Sequence, residues 1–155
     1  MMVFVPVPVA AAAVLRAGDP VPVSRGFAVT PSLRTALGPG TDDDEADFAA
    51  LSAAGVAALA GLVGPRRLVL AADVGDDQVS DAGNALGEVA VRRLAWAQVQ
   101  ALFADEEVAA PAVAAAASAA AGVGLAEAFD LAAVVELTDG HDLLWYAPEE
   151  LDALR

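Results

Sequence analysis

Residues 66–74 read RRLVLAADV, and every position from Leu68 to Ala72 is apolar. A strand with one wet face alternates between apolar and polar residues. A strand that does not alternate is covered on both faces. This run therefore predicts a central strand, with neighbours on both sides and packing layers above and below. A chain of 155 residues can supply that cover within one domain, so residues 1–155 are expected to form a single globular unit.

The flanking segments supply candidate neighbours. Val3, Val5, Val7 and Val9 alternate, which suits a strand over 2–7 better than a leader peptide. The segment has no positively charged start, and Pro6 and Pro8 interrupt its apolar run. A short Ala-rich helix over 9–17 stops at Gly18, and Pro20 and Pro22 mark an irregular or edge segment. RGFAVT (25–30) reads as a second strand. Thr30, Pro31 and Gly38 then frame a helix as cap, first residue and stop. A longer helix starts at Thr41, with Asp42, Asp43, Asp44 and Glu45 at the positive end of its dipole, and finishes at Gly64-Pro65. Phe48, Leu51, Gly55, Leu59 and Leu62 share one face of it, and Gly55 in that stripe implies a close backbone neighbour. Residues 75–87 read as a polar loop, and 88–94 and 99–105 as strands. Asp105 can cap a helix ending near Gly122, with Pro111 as a kink or as its true first turn.

Near the C-terminus, AAVVELTDGHDLLWYA holds two apolar runs joined by Asp139-Gly140. Asp-Gly between apolar runs is a favoured two-residue hairpin turn, because both central positions need positive φ. That turn would pair Thr138 with His141, Glu136 with Leu143 and Val134 with Trp145. The competing reading carries a helix from Leu125 through Leu137. Pro148 can open a last helix. The expected fold is α+β: one mixed sheet of six or seven strands with helices packed on it, a C-terminal β-hairpin and a short last helix.

Composition removes several chemistries. Cysteine is absent, which excludes disulfides, thiolate metal sites and cysteine nucleophiles and is compatible with a cytoplasmic home. All 8 basic residues are arginine, so P-loops and lysine bases are excluded too. The net charge of −14 opposes nucleic acid and anionic membranes, and suits solubility or salty conditions. No apolar stretch is long enough to span a bilayer. Hydrophobic residues reach 57% but aromatics only 5%, and about a quarter of the chain is alanine, so the core should be built from Ala and Val at close range.

The candidate site residues are few. His141, the single histidine, is the acid–base candidate, with Glu136 across the expected hairpin as its partner. Asp142 would point to the opposite face of the strand. Trp145 and Tyr146 diverge for the same reason and are candidate contacts, one in the core and one against a helix or partner. Asp73, Asp76, Asp77 and Asp81 are candidate metal ligands on the 73–88 loop, although the calcium-loop pattern is missing there and in 42–47. Arg66, Arg67, Arg92 and Arg93 could meet as an anion site or simply neutralise the acidic surface. No serine has a nucleophile-elbow context, and GVGLAE (122–127) follows a helix, so it is not a dinucleotide fingerprint. No cofactor is implied.

VPVPVAAAAVLRAG, GFAVTPSLRTAL, RRLVLAADV and HDLLWYAPEEL together resemble a family of short, uncharacterised actinobacterial proteins. The ending is the most specific part, and the arginine-only basic set fits a GC-rich genome. The resemblance implies a complete, soluble, single-domain chain and brings no catalytic residues with it. The expected role is a non-enzymatic cytoplasmic domain that binds a protein partner or itself. A small hydrolase or isomerase using His141 is the alternative, and cation binding by the 73–88 loop a weaker one.

Overall fold

The computed structural model describes all residues, 1–155. Seven strands form one open sheet: β1 (Met2–Pro6), β2 (Val21–Phe27), β3 (Leu68–Asp73), β4 (Val79–Asp81), β5 (Glu88–Leu94), β6 (Val99–Ala104) and β7 (Leu144–Tyr146). Their order is β4-β5-β2-β1-β3-β6-β7, and every neighbouring pair is antiparallel. The α+β architecture is as expected. The sheet is antiparallel throughout, not mixed.

β3 lies between β1 and β6, and its first five residues are buried. Its alternate side chains serve two cores, which explains the missing alternation. Leu68, Leu70 and Ala72 join Val3, Val5 and Leu102 on one face, closed by α1 (Val9–Arg16) through Leu15 and by the 3-10 turn 148–154 through Leu151 and Leu154. Val69 and Ala71 join Phe4 and Phe27 on the other face, under α2 (Pro31–Leu37) and α3 (Asp43–Ala57). A third cluster joins the outer side of α3 to α4 (Ala110–Ala120), α5 (Leu125–Ala128) and α6 (Ala132–Gly140).

The face of α3 that meets the sheet is alanine. Ala46, Ala50, Ala53, Ala54 and Ala57 are buried, while Phe48 is 62% exposed. Small side chains bring the helix close to the aromatic rings of Phe4 and Phe27; of the expected stripe, Leu51 packs on this core, Leu59 and Leu62 on the third, and only Phe48 is left exposed. The cap also moves by one residue. Asp42 accepts from Glu45 N–H and Glu45 reaches back to Asp42 N–H, a reciprocal capping box, while the Thr41 hydroxyl bonds backward to the Gly38 carbonyl. Thr30 caps α2 as expected, and Pro111 lies in the first turn of α4.

The largest correction is at the C-terminus. Asp139-Gly140 is the last turn of α6, Gly140 has no positive φ, and no hairpin forms. Val134 and Leu137, three residues apart, bury into the third core, and that burial outweighs the strand preference of two adjacent valines. Leu144, Trp145 and Tyr146 pair instead with Ala104, Phe103 and Leu102 of β6.

The polar loop 75–87 contains β4. The links β3→β4 and β5→β6 each run to the opposite flank of the sheet. Only residues 74–78 join β3 to β4, three of them in a 3-10 turn. Four strand spacings in a flat sheet would be about 19 Å, beyond the reach of such a linker, so the sheet curls. The two links meet where it does: Gln98 Nε2 donates to Gln78 Oε1 at 2.8 Å, and Gln78 Nε2 lies 3.4 Å from Gln98 Oε1. Each glutamine also accepts from a backbone N–H three residues back, Gly75 or Ala95, as Glu150 does from Ala147. GDDQV, AWAQV and APEEL are thus one device used three times, a strand ending in a side-chain-latched 3-10 turn.

Ala50→Leu should destabilise the fold by about 1–3 kcal/mol through overpacking. Ala114→Leu, on an exposed face of α4, should stay within about 0.5 kcal/mol of the parent. Urea denaturation measures both, and equal effects would contradict the alanine contact.

Candidate functional site

The site is organised by a buried ion pair. Arg67 stands immediately before β3 and Asp105 immediately after β6, and they are 4% and 0% exposed. Asp105 Oδ2 accepts from Arg67 Nε and from the Arg67 backbone N–H, both at 2.9 Å, and Oδ1 accepts from Nη2 at 2.7 Å. The remaining terminal nitrogen, Nη1, donates to the Gly55 carbonyl of α3 at 3.4 Å. A Cβ on Gly55 would sit 3.1 Å from Leu143 Cδ1 and 3.3 Å from that nitrogen, so an added methyl would press on both side chains. The close neighbour is therefore a pair of side chains, not the backbone the stripe led one to expect. Asp105 binds Arg67 and caps no helix; a 3-10 turn, Glu107–Ala109, leads into α4.

Arg67 forms a wall between two concavities. On one side is a cleft of about 60 Å³, lined by Phe48, Ser52, Gly55, His141, Asp142 and Leu143 among others. His141 caps the C-terminus of α6 and is partly buried, with Nδ1 3.5 Å from Glu106 Oε1. Its acidic neighbour is Glu106, not Glu136, which is exposed on α6 because no hairpin brings it across. The Thr138 hydroxyl is committed to the Val134 carbonyl, and no hydrogen bond joins Ser52 to His141. On the other side of Arg67 lies a groove of about 360 Å³ that also takes Arg25 and Arg66.

β7 continues from the first cleft as an edge strand. Trp145 is 61% exposed, whereas Tyr146 is half-buried and packs on the first core. The rings diverge as expected, with Trp145 outward.

The remaining candidates lie apart. Asp73 pairs with the Met1 amine at 3.1 Å, Asp76 and Asp77 sit in a 3-10 turn, and Asp81 accepts from Gly83 N–H at 2.7 Å. No group of three or more metal-ligating side chains converges anywhere in the chain. Arg66 bonds Glu107 at 3.1 Å, while Arg92 bonds the Asp77 carbonyl at 2.8 Å. Arg93 adopts a φ of 54°, and its carbonyl, like that of Arg92, accepts from Gln78. The two arginine pairs therefore hold different parts of the fold and do not meet. Arg25 was not legible as a site residue, since it lies alone in sequence and only the pairing of β2 brings it to Arg66.

A family model matches residues 1–154. The chain belongs to DUF6912, a family of unknown function. No curated protein and no solved structure matches it. Membership in DUF6912 agrees with the expected resemblance to an uncharacterised family and adds no residue roles. No helix of the DUF6912 chain is long and apolar enough to cross a membrane.

Removing one partner of the buried pair, in Arg67→Met or Asp105→Asn, should cost about 3–5 kcal/mol, and the double variant Arg67→Met/Asp105→Leu should recover much of that loss. Chemical denaturation of the three variants checks this; additive losses would contradict a coupled pair. Glu88 is held below the ordinary glutamate value, first by hydrogen bonds from Arg25, with partial burial opposing and Asn84 assisting. Its contribution to stability is complete above the unfolded-state value and is lost as pH falls through the lowered folded one. Arg25→Gln should move the Glu88 titration upward in a carboxyl NMR experiment, and an unmoved midpoint would contradict the assignment.

Proposed function

We propose that this DUF6912 chain is a binding domain that takes an extended segment of another protein along β7. The observation that carries the reading is Trp145, 61% exposed on a three-residue strand at the edge of the sheet, next to Leu144 at 40%. An edge strand presents unpaired backbone groups, and added strands are recognised there by backbone hydrogen bonds with side-chain pockets for specificity. The cleft at Leu143 lies at the start of this strand and is the size of a socket for one side chain. β4 at the opposite edge ends on the exposed Asp81, a charge that blunts it.

Charge selects the partner. From Leu94 to Leu154 the chain carries eleven carboxylates and no arginine. Arg67, Arg66 and Arg16 neutralise Asp105, Glu107 and Asp152 from elsewhere in the fold. Asp139, Asp142, Glu149 and Glu150 are left exposed on either side of β7. A segment alternating apolar and basic residues complements that edge. A second copy of the chain brings the same negative field, and nucleic acid brings a stronger one. Self-association is therefore the less favoured form of the binding role.

A hydrolase or isomerase using His141 and Glu106 is the second reading, favoured by their 3.5 Å approach in a partly buried cleft. A cleft of about 60 Å³ is far below the usual 300–1,000 Å³ of small-molecule sites, which weakens it. Turnover of p-nitrophenyl acetate that disappears in His141→Gln would establish this reading over the first.

In a Trp96→Phe background, Trp145 is the sole tryptophan reporter. Short peptides alternating valine and lysine should shift its emission to the blue in a saturable way, and valine–glutamate peptides should not. Absence of a shift with either series would contradict strand addition. A monomer–dimer equilibrium in sedimentation, blocked by Leu144→Pro, would replace the foreign segment with a second copy.

A further inference from the structure

The groove on the far side of Arg67 is larger than the His141 cleft and different in character. Its volume is about 360 Å³, within the range of small-molecule sites. Three of the chain's eight arginines, Arg25, Arg66 and Arg67, lie on its wall, and no carboxylate does. In a molecule of net charge −14 such a lining is distinctive. The acids that pair with these arginines, Glu88, Glu107 and Asp105, hold them from outside the groove.

The guanidinium groups keep donors in hand. Arg25 uses Nε and Nη2 on Glu88, and Arg66 uses only Nη2 on Glu107. Nη1 of Arg25 and both Nε and Nη1 of Arg66 have no acceptor within the protein. Guanidinium groups with free donors suit the planar or tetrahedral oxygens of a carboxylate or phosphate. The other walls are apolar: Pro6, Val7 and Pro8 at the end of β1, Leu62 and Val63 beyond α3, and Leu68. The C-terminal end of α3 also faces the groove and carries roughly half a negative charge, so an anion is held by the free guanidinium donors and not by net positive charge.

We infer that this groove binds a small amphiphilic anion, a carboxylate or phosphate on a compact aliphatic body, with Arg25 and Arg66 on the charged end and the proline–valine wall on the aliphatic end. The site is separate from the β7 edge and does not depend on the docking reading. Arg67 contributes positive charge but stays locked on Asp105 and Gly55.

The test uses the whole chain and three probes: octanoate, octyl phosphate and octylammonium. Isothermal titration calorimetry should show saturable one-to-one binding of at least one anion and none of the cation. The tighter of the two anions identifies the head group. Arg66→Gln should weaken binding by about tenfold, the loss of a charge-assisted hydrogen bond. Gly61→Leu should abolish it by filling the groove. A Cβ at Gly61 meets no atom within 4 Å, and the position has no positive φ, so that variant folds without strain. An unchanged thermal melt for it confirms folding. No saturable binding of either anion up to about 10 mM, weaker than any functional small-molecule site requires, would overturn the inference. So would equal binding of octylammonium, or full binding by both variants.

Discussion

The buried pair between Arg67 and Asp105 is the constraint on which the rest of the molecule depends. It locks the first residue before β3 to the first residue after β6 by three hydrogen bonds, and reaches α3 through the Gly55 carbonyl. Burying two charges is expensive, and their mutual attraction offsets the cost only when the geometry is complete. Here it is complete: no buried side-chain polar atom in the chain lacks a partner. The pair therefore specifies an arrangement. α3 has to sit close enough for its backbone to meet a guanidinium, and it does so with glycine at 55 and alanine along the face it lays on the sheet. The two concavities on either side of Arg67 follow from that placement.

The same economy of small residues shapes the sheet. Its links cross from flank to flank in five residues or so, which forces the strands to curl, and the glutamine pair at the crossing holds the curl. Curling leaves two unequal edges. β4 is short and acidic at its end. β7 is as short but carries an outward tryptophan, and it borders the acidic half of the chain. The arginine-lined groove lies beyond the other side of α3. Polar groups are thus sorted within an acidic protein: exposed carboxylates border β7, and three acid-paired arginines line a recess.

Much of the frame was legible in the sequence because it rests on local physics. The non-alternating run at 68–72 is a central strand for the reason given, and Thr30 and Pro31 start α2 through hydrogen bonding and a preset φ that need no tertiary context. The failures came where long-range burial overrode a local signal. Asp139-Gly140 has the residues of a hairpin turn, yet Val134 and Leu137 bury at helical spacing and keep the segment helical. Thr41 looked like a cap, but Asp42 has Glu45 at the spacing that closes a capping box. Asp105 looked like a cap as well, and its burial against Arg67 depends on a strand pairing that no local window contains. Glu106 was missed as the neighbour of His141 for the same reason. The repeated GDDQV, AWAQV and APEEL turns were present as a signal, and would have revealed β4 as a strand resuming after a latched turn.

The proposed binding roles rest on what this frame leaves open: a tryptophan on an acidic edge and an arginine-lined, apolar-walled groove, both positioned by the strands and helix that Arg67 joins. The most direct test of that dependence is amide hydrogen exchange at Arg67. Its backbone N–H lies outside any strand and bonds a buried carboxylate. If the ion pair is the tie of the fold, this amide exchanges only by global unfolding, as slowly as those of Leu70 and Leu102 in the central strands. If it exchanges at the rate of a surface loop while those strands stay protected, the pair is peripheral and the account is wrong.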